Sequence, residues 1–246
     1  MRIDFEGKVA VVTGATRGIG KSIADHLESL GAELLLTGTS REEVDDLNAS
    51  TAGNKRYLQA DFSDDAGIDS FVAELGKMDR IDVCVNNAGI NRINSVWETK
   101  TADWDDLVSV NLKAPFMVTR AVSFIMKRNG YGRIVNISSI FGTVSKEKRS
   151  IYSATKSGLI GFTRGASNDL ARYGVLVNSL SPGVVLTDMT RQILGDEGIK
   201  EMEERIPAGR LAGPEEISRV ALFLASDLNT YLTGKNIIVD GGYVDV

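Results

Sequence analysis

Tyr152 and Lys156 stand four positions apart, and Ser139 lies thirteen residues before the tyrosine. Side chains at positions i and i+4 share one face of a helix, so the lysine ammonium can lie near the phenol and favour its ionised form. Such a phenol can give and take a proton near neutral pH, and the serine hydroxyl can bind a substrate oxygen. Because Tyr-x-x-x-Lys alone is common on helix surfaces, the rest of the chain decides whether it is catalytic.

A glycine-rich turn directly follows an apolar strand and opens a helix. Gly14, Gly18 and Gly20 are spaced as Gly-x-x-x-Gly-x-Gly within the segment from Thr13. The missing side chains let the backbone approach a pyrophosphate, and the helix N-terminus supplies free N–H groups and the positive end of its dipole. The context favours a dinucleotide site, and the alternative is a strand-to-helix turn without special function.

Short apolar runs alternate with longer amphipathic segments along the chain, which predicts parallel strands with helices on both faces. The fold class predicted is α/β, a single doubly wound Rossmann-type domain over residues 1–246 with a seven-stranded, mostly parallel sheet. Strands are predicted over residues 9–13, 34–37, 56–60, 81–85, 133–137, 176–180 and 236–239. Helices are predicted near residues 19–30, 41–50, 64–75, 102–128, 153–172 and 214–226.

One segment, residues 186–211, interrupts this alternation with scattered apolar residues among many charges. Insertions at the carboxyl ends of strands in such sheets usually border the ligand crevice. We therefore expect a mobile substrate lid here. The alternative is an ordinary pair of amphipathic surface helices.

Charge and composition exclude several classes of protein. A net charge of -5 argues against a general binder of nucleic acid or of anionic membranes. No apolar stretch is long enough to span a membrane, and the single cysteine, Cys84, lies in an apolar run where a buried hydrophobe is expected. We expect a cytoplasmic protein without a metal site.

A series of motifs follows along the chain in a fixed order: the turn at Gly14, Gly18 and Gly20, then Asn86 to Gly89, Asn111, Ser139, Tyr152, Lys156, Pro182-Gly183 and Thr233 to Gly242. In these motifs the chain resembles the short-chain dehydrogenase/reductase family, in its non-extended form, over essentially its whole length. The resemblance implies a nicotinamide-dependent oxidoreductase in which Tyr152 donates the proton, Ser139 binds the substrate oxygen and Lys156 also holds the nicotinamide ribose. Asn111 resembles the fourth catalytic member, which anchors a water, although a helix-interior asparagine can also simply bond backbone.

The resemblance also implies where the cofactor binds. Asp61 should contact the adenine, Asn87 to Gly89 the adenosine half, and Val185 with Thr187 the nicotinamide carboxamide. The residues expected to bind the cofactor are Gly14, Thr16, Arg17, Gly18, Ile19, Gly20, Thr39, Asp61, Asn87, Ala88, Gly89, Tyr152, Lys156, Pro182, Gly183, Val185 and Thr187.

The residues after the second strand indicate which nicotinamide cofactor is used. Gly38 stands where NAD enzymes of this architecture carry an acidic residue for the ribose 2′-OH. Arg17, Thr39 and Arg41 bring donors and positive charge to the place where a 2′-phosphate would lie, although each arginine singly is compatible with a solvated surface charge. We predict a preference for NADP(H), with NAD(H) as the alternative.

Within the family, the chain most resembles the 3-oxoacyl-(acyl carrier protein) reductases of fatty acid biosynthesis, in residues 136–139, 158–163 and the C-terminal third. This resemblance implies a small-molecule or acyl-carrier-bound ketone substrate and a homotetramer built on the helices near 102–128 and 153–172. The charged segment from Ser145 to Ser150 departs from the small, neutral stretch of that group and should border the substrate pocket. Sugar, polyol and steroid dehydrogenases of the family stay open as alternatives, as does, more remotely, a non-catalytic cofactor-sensing protein.

Overall fold

The computed structural model describes residues 3–51 and 53–245. Its seven strands form one entirely parallel sheet in the order β3-β2-β1-β4-β5-β6-β7, which confirms the predicted fold class. All seven predicted strands are present within a few residues. They are β1 Val9–Val12, β2 Glu33–Gly38, β3 Lys55–Gln59, β4 Val83–Asn86, β5 Gly132–Ile137, β6 Val175–Pro182 and β7 Asn236–Val239.

The inner strands are apolar on both faces because helices cover the sheet on both sides. In β1, Ala10 and Val12 point into one hydrophobic cluster, which includes residues of the first and last helices. Val11 points to the opposite cluster, together with Cys84 and Ile134. Burial raises the pKa of the Cys84 thiol to about 12, so this cysteine is a core residue, as expected.

Eight α-helices are found in the described part of the chain, and three of them begin at a residue whose side chain caps the first turn. Ser40 and Asp64 accept hydrogen bonds from the backbone N–H groups of Glu43 and Gly67. The helices are α1 Gly18–Ser29, α2 Arg41–Ser50, α3 Asp65–Leu75, α4 Thr101–Val108, α5 Ala114–Asn129, α6 Ser150–Leu170, α7 Asp188–Arg205 and α8 Pro214–Ala225.

The helix predicted near residues 102–128 is divided by a π-helical turn, Ser109–Lys113, between α4 and α5. Such turns are rare and often mark functional sites. Asn111 lies in the middle of this turn and is fully buried.

Helix α7 occupies most of the segment predicted to be a lid. It is kinked at Gly195, which has a left-handed φ of 63°, so the segment consists of two consecutive helical pieces. Leu194, Met202 and Ile206 pack in a third hydrophobic cluster that is separate from the two sheet faces. The mobility of the segment 186–211 stays a prediction.

A series of hydrogen-bonded, buried polar side chains, here called the polar ladder, connects α5 to α6 through the strands β4 and β5. The amide of Asn86 in β4 donates to Thr119 of α5 at 3.1 Å and to Asn136 of β5 at 2.7 Å. The Asn136 amide donates in turn to Thr163 of α6 at 2.9 Å. Asn86 and Asn136 are paired across the two parallel strands, so the ladder joins both at their carboxyl ends.

Candidate active site

The carboxyl ends of the strands border a continuous cleft, where ligands bind in open sheets of this kind. It consists of a cavity of about 240 Å³, here called the substrate cavity, and one of about 450 Å³, here called the cofactor cavity. The two cavities share Ile19, Asn87, Gly89, Ile90 and Thr187 in their walls.

The glycine turn leaves no room for side chains. Gly14 and Gly18 have left-handed φ values of 63° and 57°. A Cβ atom on Gly20 would lie 2.2 Å from the Gly14 carbonyl oxygen and 2.3 Å from Nδ2 of Asn87. That same Asn87 amide donates to the carbonyl oxygens of Thr13 and Gly14 at 3.0 and 2.9 Å. Gly20 therefore packs against the Gly14 backbone and the Asn87 side chain and does not line the cleft.

Every other residue of the expected cofactor set lines one of the two cavities. The turn residues, Thr39, Asp61 and Ala88 face the cofactor cavity, and Tyr152, Lys156, Pro182, Gly183 and Val185 face the substrate cavity. The Asp61 carboxylate accepts from the backbone N–H and the hydroxyl of Ser63, at 2.9 and 2.8 Å.

Ser139, Tyr152 and Lys156 come together in the substrate cavity. Ser139 follows β5, and its Oγ accepts from the Phe141 N–H at 3.2 Å at the start of a short 3₁₀ turn. Tyr152 lies in the first turn of α6, with Lys156 one turn later. The Lys156 Nζ donates to the Ile137 carbonyl at 2.9 Å and lies 5.7 Å from the centre of the Tyr152 ring.

Burial governs the protonation of this site. It lowers the pKa of Lys156 from its ordinary value of 10.5 to about 8. It also raises the pKa of Tyr152, while the Ser139 hydroxyl and then the Arg149 guanidinium act against that rise. The Arg149 guanidinium makes only a small contribution in favour of the phenolate. The Lys156 ammonium lies near the same ring and donates its hydrogen bond to the Ile137 carbonyl, so its effect on the phenol stays a prediction.

Asn111 lies behind the cleft and not in its wall. Its Oδ1 accepts from the Ile90 N–H, and its amide donates to the Ile90 carbonyl, both at 2.9 Å. The amide also reaches Thr155 Oγ1 at 3.3 Å. These contacts fix the segment beside Gly89 that lines both cavities, and the catalytic role of Asn111 stays a prediction.

Several cleft residues were not predicted individually. Arg149 and Lys146 line the substrate cavity next to Tyr152, in the charged segment that was expected only to border it. Arg149 is 8% exposed, and its Nε and Nη1 have no hydrogen-bond partner within the described ranges. The apolar wall is formed by Phe141, Val184, Ile193, Leu194 and Met202.

At the far end of the cofactor cavity, neighbouring methyl groups occupy the space that a side chain at the end of β2 would need. A Cβ on Gly38 would lie 2.6 Å from Thr16 Cγ2 and 2.9 Å from Val44 Cγ2. Arg17 and Thr39 line the cavity nearby, and both are exposed.

Across residues 3–51 and 53–245, no group of three or more His, Cys, Asp or Glu side chains is placed to hold a metal ion. None of the helices described is both long enough and apolar enough to cross a membrane.

Known proteins match this chain over nearly its full length. The model of a family described as enoyl-(acyl carrier protein) reductase matches residues 14–244. The 3-oxoacyl-[acyl-carrier-protein] reductase FabG of Escherichia coli (strain K12) is 38% identical over 241 residues, covering 98% of each chain. The protein of the same name from Aquifex aeolicus is 41% identical over 248 residues, covering 98% of this chain and 99% of its own.

Two solved structures are similar throughout. One, from Beutenbergia cavernae with NADP bound at low occupancy, is proposed to be an NAD(P)-dependent gluconate 5-dehydrogenase. It superposes with a TM-score of 0.92 at 37% identity and 99% coverage of both chains. The other, proposed to be a betaketoacyl-ACP reductase, has a TM-score of 0.88 at 34% identity and covers 98% of this chain and all of its own.

Proposed function

The chain belongs to the short-chain dehydrogenase/reductase family, and from this premise we propose that it is an NADP(H)-dependent reductase of 3-oxoacyl thioesters. It is a nicotinamide-dependent oxidoreductase acting on CH–OH groups. The observation that carries the proposal is the meeting of Ser139, Tyr152 and Lys156 in a cavity that continues into the glycine-turn cavity.

The residues fit a nicotinamide dinucleotide, because the turn presents bare backbone at a helix N-terminus. A Cβ on Gly14 would lie 2.9 Å from Ala88 Cα. Gly14 and Ala88 can therefore form adjacent parts of the cofactor cavity wall only because Gly14 has no side chain. When bound, the nicotinamide supplies or accepts the hydride. In the reduction, Ser139 holds the carbonyl oxygen and the Tyr152 hydroxyl transfers its proton to that oxygen as negative charge develops. Lys156 holds the nicotinamide ribose.

The preference for NADP(H) is supported at the end of β2. Gly38 carries no carboxylate that would accept from the ribose 2′-OH or repel a 2′-phosphate, and Thr16 and Val44 fill the space that such a side chain needs. Arg17 lines the same cavity and can donate charge-assisted hydrogen bonds to the phosphate. The similar Beutenbergia structure with bound NADP is consistent with this choice.

A second substrate class is favoured by a specific observation. The proposed gluconate 5-dehydrogenase is named for a substrate that carries a carboxylate. Arg149, the charged residue that distinguishes the segment before Tyr152, lies buried in the wall of the substrate cavity. A hydroxy-acid dehydrogenase is therefore the second candidate.

We also propose a cytoplasmic homotetramer. Trp104, Phe116 and Phe124 are 48%, 43% and 70% exposed on α4 and α5, the region expected to form the interface. The Phe116 ring meets Phe162 of α6 edge-on, so the two helices present one apolar surface.

The test is a substrate panel with the purified protein, in which oxidation of NADPH and NADH is followed by absorbance. Acetoacetyl thioesters, free oxo acids and uncharged ketones should be compared as kcat/KM, with Tyr152→Phe as the inactive control. We expect NADPH-dependent reduction that is lost in the control. Reduction at equal rates by wild type and Tyr152→Phe would contradict the proposed site.

A further inference from the structure

We propose that Arg149 binds a carboxylate of the substrate, so that the substrate cavity selects short oxo acids, or the corresponding hydroxy acids, over uncharged ketones. This inference rests on the proposed carbonyl reduction, and among the two substrate classes proposed above it favours the second, the hydroxy acids, over 3-oxoacyl thioesters, whose acyl chain carries no charge.

Arg149 is buried without an ion-pair partner, and the exposed Glu147 acts on it only from a longer distance. Its side chain is in the wall of the substrate cavity and 8% exposed, yet no carboxylate of the described residues lies within ion-pair distance. Its Nε and Nη1 also lack partners there. Arginine is almost never buried unpaired, because the guanidinium keeps its charge and loses its hydration. An anion entering the cavity would supply the missing partner.

The wall of the substrate cavity is positively charged. Lys146, Arg149 and Lys156 line it, while no aspartate or glutamate occurs among its described lining residues. The start of the 21-residue helix α6 immediately follows Arg149 and adds the positive end of a helix dipole. This positive potential attracts a carboxylate, whereas it does not attract a neutral acyl chain.

The backbone holds Arg149 in place. Lys148 has a φ of 62°, the one left-handed non-glycine residue in the described ranges. The Arg149 carbonyl accepts from the Ser153 N–H at 2.8 Å as the first turn of α6 forms. A strained residue followed by an anchored one is a feature that structures keep at functional sites. The neighbours Glu147 and Lys148 are exposed and do not line the substrate cavity.

Position limits the size of the substrate. Arg149 precedes Tyr152 by three residues at the start of α6, so both side chains lie on one side of the same cavity. The Arg149 Cζ atom and the Tyr152 ring lie 5.9 and 6.4 Å from the centre of the same Phe141 ring, so one small molecule can contact both. The nicotinamide would occupy part of the same cavity, which also favours a short substrate.

The test compares acetoacetate with its neutral methyl ester, two ketones that differ by one charge and one methyl group. We expect Arg149→Gln to lower kcat/KM for acetoacetate by about 10- to 150-fold, which is the contribution of a hydrogen bond to a charged group. The same variant should change the value for the methyl ester less than about 3-fold, and Arg149→Lys should restore part of the loss. The control is Lys235→Gln, which removes a positive charge from an exposed position outside the substrate cavity and should leave both values unchanged.

Direct binding separates this inference from the proposed function. Calorimetry with the NADP⁺-loaded protein should show acetoacetate binding in wild type that is lost in Arg149→Gln. Such binding without turnover would contradict the proposed reduction and still support the inference. Equal losses for acid and ester, or a shifted pH profile for both, would overturn the inference, because Arg149 would then act through Tyr152.

Discussion

Replacing Lys156 by methionine should make the cofactor-free protein more stable at neutral pH while it destroys activity. The side chain is 4% exposed and its pKa falls from 10.5 to about 8 through burial, so the fold holds a charge that it disfavours. At about 1.4 kcal/mol per tenfold change, this difference corresponds to about 3 kcal/mol. Methionine keeps the unbranched shape but leaves the Ile137 carbonyl without its donor, which costs about 1–2 kcal/mol.

The net gain is therefore about 1–2 kcal/mol at pH 7, or roughly 2–8 °C in Tm for a chain of this size. The gain depends on pH in a defined direction. Below about pH 8 the ammonium is charged in both the folded and unfolded states, so wild type carries the full penalty. Between pH 8 and 10.5 the folded protein loses its proton first, and the penalty fades. Above pH 10.5 only the lost hydrogen bond remains, and wild type should be the more stable protein.

Urea unfolding of both proteins at pH 7 and at pH 10 measures this difference directly. Lys200→Met, at an exposed position of α7, is the control for adding a methionine and should show no such pH dependence. A stability difference between Lys156→Met and wild type that is the same at both pH values would refute the reasoning. Cofactor must be absent, because it binds only the folded state.

Four further outcomes are expected. Tyr152→Phe should lower kcat by about 10²- to 10⁴-fold while NADPH still binds, as measured by nucleotide fluorescence, and near-normal turnover would exclude the tyrosine as proton donor. Arg17→Gln should lower kcat/KM with NADPH by about 10-fold or more and leave NADH unaffected, whereas equal losses would show that the arginine does not read the 2′-phosphate. Gly20→Ala should raise the Kd of both cofactors because the new methyl collides with the Gly14 carbonyl oxygen, and an unchanged Kd would contradict this packing. Helix α7 should gain hydrogen-exchange protection when cofactor and substrate bind, and identical protection in both states would contradict its role as a lid.

Local signals in the sequence were sufficient for the sheet and for most of the cleft. The strands are apolar on both faces, and the turn at Gly14, Gly18 and Gly20 needs only the strand before it and the helix after it to be recognised. Ser139, Tyr152 and Lys156 were found because family resemblance fixed their order, and the structure brings them into one cavity.

Three features could not be predicted because they depend on long-range packing. The π-helical turn at Ser109–Lys113 gives no local signal, and Asn111 finds its partners at Ile90 and Thr155, far away in sequence. In α7, charges surround a few apolar residues and Gly195 breaks the helical period, so the segment has no clear helical pattern. Arg149 lies in a run of charges that indicates a solvated loop, yet tertiary contacts bury it.

The polar ladder has a consequence for how precisely the enzyme can align its two ligands. Asn86 directly precedes the cofactor-facing residues 87–89, and Asn136 lies three residues before Ser139. A slip of one residue between β4 and β5 would displace these groups by about 3.3 Å, whereas catalytic groups must be held to about 0.5 Å. It would also leave the buried amides of Asn86 and Asn136 without hydrogen-bond partners. The free-energy cost of a misaligned sheet therefore arises in the core and does not depend on a bound ligand. The segment between Ser139 and Tyr152 lies outside this alignment, so mutation can change what the pocket accepts without shifting the hydride path.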